Sequence, residues 1–296
     1  MSSIATLVSS MADPQVGPGL VAAAERALGA DGHRVLAGEV AAEFPLPAGL
    51  DPGEADRRLR DVVADRAVDV AVLSAANRRK RLLVADMDST MIGQECIDEL
   101  AAFAGLKAKV SAITEQAMRG EIAFEPALRA RVALLRGLPI SVVDEVLRER
   151  ITLTPGGPEL VRTMRAHGAY AALVSGGFTV FTGEIRTAIG FDEDRANTLL
   201  TDAGLLTGEV VEPILGQDAK LASLRELRDR FGLAAAETMA VGDGANDLAM
   251  VREAGLGVAF RAKPAVAAEA AVRIDHADLS ALLFIQGYAR EEFVHG

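Results

Sequence analysis

With 296 residues, half of them apolar and a quarter charged, the chain has ample core-forming material and exceeds the usual size of one domain. A net charge of −11, from 42 acidic against 31 basic residues, with no long Lys/Arg run, argues against a nucleic-acid partner. The lone Cys96 excludes an internal disulfide, four scattered histidines (His33, His167, His276, His295) do not make a zinc site, and no apolar run approaches the ~18 residues of a membrane span, so a cytoplasmic protein without membrane association is expected.

Residues 1–77 alternate short apolar runs (Ile4 to Val8, Arg34 to Val40, Val68 to Leu73) with helix-like stretches (Leu20 to Leu28, Glu54 to Ala64), which predicts a small βαβαβ unit. The basic cluster Arg78-Arg79-Lys80-Arg81 reads as a solvated linker before a compact apolar strand, Leu82 to Ala85. From Ile92 to Ile151 the periodicity is helical throughout, punctuated by Gly105, Gly120 and Gly137-Leu138-Pro139. After Thr154-Pro155-Gly156-Gly157, strand-like runs (Ala169 to Val174, Gly208 to Val211, Thr238 to Val241, Gly257 to Ala259) alternate with helices, one of them carrying Lys220 near its start. That alternation predicts an α/β class with a doubly wound parallel sheet, whose ligands sit beyond the carboxyl ends of its strands.

Four segments carry reactive groups, three of them at such strand ends and the fourth, Lys220, near the start of a helix. Asp86-Met87-Asp88-Ser89-Thr90 sets two carboxylates one residue apart, one able to attack a phosphoryl group and the other to move a proton. Taken alone the pair is equally a polar turn, as Asp192-Glu193-Asp194 is read to be. Ser175-Gly176-Gly177 offers a hydroxyl and free backbone N–H groups to phosphate, or serves as a tight turn. Lys220 can neutralise phosphate charge. Gly242-Asp243-Gly244-Ala245-Asn246-Asp247 supplies hard oxygen ligands, so that Asp243 with Asp86 would suit Mg2+.

In this order, Asp-x-Asp-x-Thr, Ser-Gly-Gly, Lys and Gly-Asp-Gly-x-Asn-Asp resemble the haloacid dehalogenase (HAD) superfamily of phosphatases over about residues 80 to 287. The resemblance implies a HAD-like Rossmannoid core from residues 80–91 and 152–296, a helical cap at 92–151, and Asp86 as nucleophile with Asp88 as acid and base. It further implies magnesium on the Asp86 carboxylate, the Asp88 backbone carbonyl and Asp243, with Asn246 at the substrate and Asp247 and Gly177 in support. Ser175, the Gly176 amide and Lys220 would face the phosphoryl oxygens.

Three stretches, Ile92-Gly93-Gln94-Glu95, Arg119-Gly120-Glu121-Ile122-Ala123-Phe124 and Leu128-Arg129-Ala130-Arg131-Val132, are similar to the phosphoserine phosphatases of that superfamily, which complete serine biosynthesis. The similarity implies O-phosphoserine as substrate, with Glu95 on its ammonium, Arg131 on its carboxylate and Met118 and Phe124 as apolar walls. An Arg fork suits a carboxylate better than Lys does. Cys96 is read as packing. Two alternatives stay open: phosphatase or phosphotransferase chemistry on another small phosphomonoester, and an amino-acid-sensing or assembly role for residues 1–77, read as possibly ACT-like, with a homodimer as the assembly left open.

Overall fold

A computed structural model of the chain describes residues 2–118 and 121–295. The N-terminal elements are β1 (Ser3–Ser9), α1 (Pro18–Leu28), β2 (Arg34–Ala37), β3 (Ala41–Pro45), α2 (Pro52–Val63) and β4 (Val68–Ser74). They form an antiparallel sheet of order β2-β3-β1-β4, the ferredoxin-like βαββαβ arrangement rather than the expected βαβαβ. The expected single run Arg34 to Val40 ends early, because the chain reverses at Gly38-Glu39, where Glu39 takes φ 54°, and a further strand pairs back on β2.

Period-two alternation divides this sheet. Ala5, Leu7, Phe44 and Val70 pack under Leu20, Ala24, Leu28, Leu59 and Val63 of the two helices. The opposite face, with Val8, Leu36, Val40, Ala41 and Ala71, joins the main core. Helix α2 starts on Asp51, whose side chain accepts the Glu54 N–H at 3.0 Å, with Pro52 at its first position.

The basic cluster at the junction is solvated only in part: Arg79 and Arg81 are exposed, as expected, but Arg78 and Lys80 are not. Arg78 is buried; its guanidinium pairs with Glu43 of β3, donates to Thr6 Oγ1 of β1 at 2.9 Å, and donates to the Ile285 carbonyl at 2.8 Å. Lys80 is buried too, its ammonium 2.7 Å from the carbonyls of Asn77 and Ala236. Burial is tolerated because each cation meets fixed oxygens that replace water. From β4, the buried Asp69 accepts the backbone N–H groups of Asp275, His276 and Ala277, which clamps the N-terminal sheet to the rest.

Beyond this junction run β5 (Leu82–Ala85), the helices α3 (Cys96–Phe103), α4 (Lys107–Met118), α5 (Phe124–Ala133) and α6 (Val142–Glu149), then α7 (Gly157–Ala166), β6 (Tyr170–Phe178), α8 (Thr179–Ile189) and β7 (Glu193–Asn197). A ribbon of β8 (Leu199–Asp202) and β9 (Leu205–Val210) precedes α9 (Gln217–Arg230), β10 (Thr238–Gly242), α10 (Leu248–Glu253), β11 (Leu256–Phe260), α11 (Pro264–Ala267), β12 (Val272–Ile274) and α12 (Ala281–Ile285). Six strands make one parallel sheet of order β12-β11-β10-β5-β6-β7. Leu82 and Val84 point to a core with Leu224, Leu227 and Met250, whereas Leu83 and Ala85 point to one with Leu160, Met164, Phe181 and Leu282. Strands apolar on both faces demand helices on both sides.

One strand expectation and one turn expectation are corrected. The run Gly208 to Val211 lies mostly in β9, which pairs antiparallel with β8 outside the main sheet. Asp192-Glu193-Asp194, expected as a solvated turn, opens the edge strand β7: Asp192 accepts the Ala171 N–H and Asp194 accepts from Thr182 Oγ1. The α3–α6 insert hangs on a short antiparallel stalk, with the Gly93 N–H on the Thr152 carbonyl and the Thr154 N–H on that of Met91, both at 3.0 Å. Among the described residues, no helix is long and apolar enough to cross a membrane.

Candidate active site

The chain leaves β5 towards β6 on one side and returns through β10 on the other, so the carboxyl end of β5 is the switch point where an open α/β sheet leaves a crevice. Asp86 stands there. Its carboxylate accepts the Met87 N–H at 2.8 Å, while its own N–H bonds to the Val241 carbonyl of β10 at 3.0 Å. The following turn is tight, and Ser89 adopts φ 56°, a conformation few side chains take.

Lys220, in the first turn of α9, is sealed from solvent with its ammonium 2.7 Å from both Asp86 and Asp247. Asp243, after β10, completes a cluster in which carboxylate oxygens of Asp86, Asp243 and Asp247 lie within 4.8 Å of one another. Asp247, expected only in support, is thus a full member of it. Gly242 makes room: a Cβ there would come within 2.4 Å of the Asp247 carboxyl carbon.

Three carboxylates facing one ammonium leave an excess of two negative charges in a buried place. Burial, then Asp247, pushes the Asp86 pKa well up, since Lys220 is shared and cannot neutralise both neighbours. Asp243 is pushed up to about 6 by burial and by Asp247. Burial alone would lower the Lys220 pKa, but Asp247 and Asp86 hold it above its ordinary value. Clustered hard oxygen donors with two negative charges in excess fit a divalent cation such as magnesium.

Asp88 sits beside this cluster, its pKa raised to about 7 by burial and by Glu95. The N–H of Cys96, at the start of α3, donates to Asp88 Oδ1 at 3.3 Å, so the cysteine expected only to pack also touches the acid through its backbone. Gly177 lies close by, where a Cβ would be 3.0 Å from Asp88 Oδ2. The buried Ser175 Oγ accepts the Gly177 N–H at 2.9 Å. Asn246 lies in the turn after Asp243, with its Oδ1 against Gly244.

The insert contributes the other expected residues. Glu95 accepts from Ser89 Oγ at 2.7 Å. Arg131 on α5 donates to the Ala127 carbonyl at 3.3 Å and to Thr114 Oγ1 at 3.4 Å. Burial lowers its pKa, while Asp98, Glu95 and Asp88 act the other way, which puts the guanidinium in the field of these acids. The Phe124 ring covers Gly176 and Gly216. The side chain of Met118, with Arg119 and Gly120, lies outside the described residues. Thr114 and Asn197 were not singled out from the sequence, and Ser89 was given no role of its own; each bonds a motif residue, Ser89 to Glu95, Thr114 to Arg131 and Asn197 to the Gly176 carbonyl, and Thr114 and Asn197 do so from positions far along the chain.

Residues 83–252 match the family model of the haloacid dehalogenase-like hydrolases, and the chain belongs to that family. Its relatives include a phosphoserine phosphatase of Polaromonas sp., 48% identical over 69% of this chain and 88% of that protein. Another, a phosphoserine phosphatase of Streptomyces coelicolor, is 43% identical over 85% of this chain but spans only 62% of the longer relative. The crystal structure of a probable phosphoserine phosphatase from Vibrio cholerae is similar with a TM-score of 0.79 and 32% identity, covering 98% of this chain and 88% of that one.

Proposed function

We propose that the chain hydrolyses O-phosphoserine to serine and phosphate through a phosphoaspartate at Asp86. One observation carries the chemistry: the Asp86 carboxylate, sealed at the switch point, shares one ammonium with Asp247 and clusters with Asp243. The substrate assignment rests on Glu95 and Arg131, an anion and a cation whose charges both act on Asp88 and which together suit a zwitterion, and on the names of the relatives.

Asp86, Asp243 and Asp247, with the Asp88 backbone carbonyl, would hold Mg2+, which when bound offsets the charge on nucleophile and phosphate. A carboxylate oxygen of Asp86 forms its bond to phosphorus as the bond to the serine oxygen breaks, and Asp88 gives that oxygen a proton. Lys220, Ser175 and the Gly176 N–H stabilise the equatorial oxygens. Asp88 then takes a proton from water, whose oxygen attacks phosphorus and frees Asp86. A pKa of about 7 suits a group that must serve as acid and then as base. Residues 92–151 act as a cap that excludes water in the first step.

Phosphate release from phosphoserine, phosphothreonine and sugar phosphates, with and without magnesium, tests this reading. Phosphoserine should be turned over fastest and only with the metal; preference for a sugar phosphate would overturn the substrate assignment.

A second reading, in which residues 1–77 bind a small regulatory ligand, is favoured by a cavity of about 260 Å³ lined by Val16, Val21, Val35 and Ala42 with Glu25 and His33 at its rim. Titrating amino acids into the full chain while following activity and thermal unfolding checks it; no change in either removes it.

A further inference from the structure

The ladder between β6 and β7 pairs Val174 with Arg195 and next pairs Phe178 with Asn197, so Ser175, Gly176 and Gly177 bulge out of the sheet. A bulge strips backbone groups of their strand partners, and buried ones need replacements. Asn197, only 3% exposed, provides them with its side chain. One N–H of its carboxamide donates to the Gly176 carbonyl at 2.9 Å and the other to the Leu215 carbonyl at 3.2 Å, while its oxygen accepts the Leu215 N–H at 2.7 Å. The side chain thus pairs with Leu215 as a strand backbone would, and ties the serine–glycine bulge to the turn before the helix bearing Lys220.

We propose that Asn197 is a positioning residue for phosphoryl transfer. Holding the Gly176 carbonyl sets the peptide plane between Gly176 and Gly177. The N–H on the other side of that plane then donates to Ser175 Oγ, so the hydroxyl proton is left to point at the substrate. The same clamp sets the spacing of Gly176 and Gly216, the two glycines covered by the Phe124 ring, and so shapes the seat on which the insert closes. One amide aligns the phosphate donors, the Lys220 helix and the closure contact. Leucine at this position would fill similar space and leave three backbone groups unpaired.

This inference rests on the proposed role of Ser175 to Gly177 at the phosphoryl group. The test is Asn197→Asp, which keeps the shape and the acceptor for Leu215 but cannot donate to either carbonyl, with Asn197→Gln as the conservative control. Steady-state kinetics on phosphoserine and on an aryl phosphate lacking amino-acid groups, inhibition by inorganic phosphate, and thermal unfolding are measured with magnesium present. For Asn197→Asp we expect kcat to fall about 10- to 100-fold on both substrates, as for a misplacement of about 1 Å. The inhibition constant of phosphate should rise about tenfold, the loss of one good hydrogen bond to a charged group. Asn197→Gln should recover part of both. A lowered melting temperature with kcat and phosphate inhibition within about twofold of the parent would make Asn197 purely structural and overturn the inference. If Asn197→Asp does not fold, Asn197→Ser, whose hydroxyl is one bond too short to reach the Gly176 or Leu215 backbone groups, is read by the same criteria. Failure of the underlying reading looks different: the unmodified protein would then release phosphate from neither substrate.

Discussion

The Lys220 ammonium and the Asp86 carboxylate form an ion pair of 2.7 Å with both side chains buried. Because Lys220 is equally close to Asp247, its removal strips the only ammonium paired with this carboxylate cluster among the described residues. Lys220→Met should therefore cost the metal-free protein about 3–5 kcal/mol in urea unfolding, the usual penalty for breaking a buried pair. Turnover should fall by about 10²- to 10³-fold, as for loss of one transition-state donor. A stability equal to the parent would mean that the carboxylates are protonated without the lysine.

Stability should depend on pH with a definite sign. Asp88 and Asp243 have folded pKa values raised to about 7 and about 6 from a reference of 3.8, so the folded state holds protons that the unfolded chain releases. Their stabilising contribution is complete below pH 3.8 and is lost as pH rises through about 6 and about 7. In chelator, the melting temperature should fall across that window.

Magnesium should reverse this loss. At a hundredfold excess over its dissociation constant a ligand adds about 2.7 kcal/mol, a rise of roughly 5 °C for a chain of this size. The gain should be larger at pH about 7.5 than at about 5, because ligands must be deprotonated to bind. Calorimetry at both pH values with and without the ion decides it; an equal gain at both would argue against carboxylate ligation.

Asp88 is assigned the proton transfers, so its replacement should matter most where the leaving group is poor. Asp88→Asn should lower kcat on phosphoserine by about 10²- to 10⁴-fold. The first step with an aryl phosphate, whose leaving oxygen needs little protonation, should suffer less. Burst kinetics that separate the two steps provide the measurement, and equal losses in the first step would remove Asp88 as its acid.

Arg78→Ala tests the junction. It leaves Glu43 with only the half-exposed Arg34 as partner and frees the Thr6 hydroxyl and the Ile285 carbonyl. A loss of about 3–5 kcal/mol in urea unfolding is expected. A change under about 1 kcal/mol would show that the N-terminal sheet docks without this side chain.

The sequence by itself was enough for the parallel sheet, the helical insert and the four reactive segments. In such a sheet the chemistry lies one or two residues past an apolar run, so Asp86, Ser175 and Asp243 are marked by their own neighbours. Other features were invisible for an equally physical reason. Arg78 reads as a solvated charge because its partners, Thr6 and Ile285, are 72 and 207 residues away. The acidic start of β7 reads as a turn because its charges are satisfied by Arg165, Thr182 and Arg186 of other helices.

Local pattern therefore decided which residues can react, since reactivity follows side-chain type and strand position. Tertiary structure alone decided which of them cluster, with Asp247 joining Asp86 and Asp243, and which residue outside every motif ties Gly176 to Leu215. Asn197 has no motif around it; only the folding of β7 beside a bulge brings its amide between Gly176 and Leu215. Hydrogen bonds act over about 3 Å, and sequence distance carries no information at that range unless the fold is known.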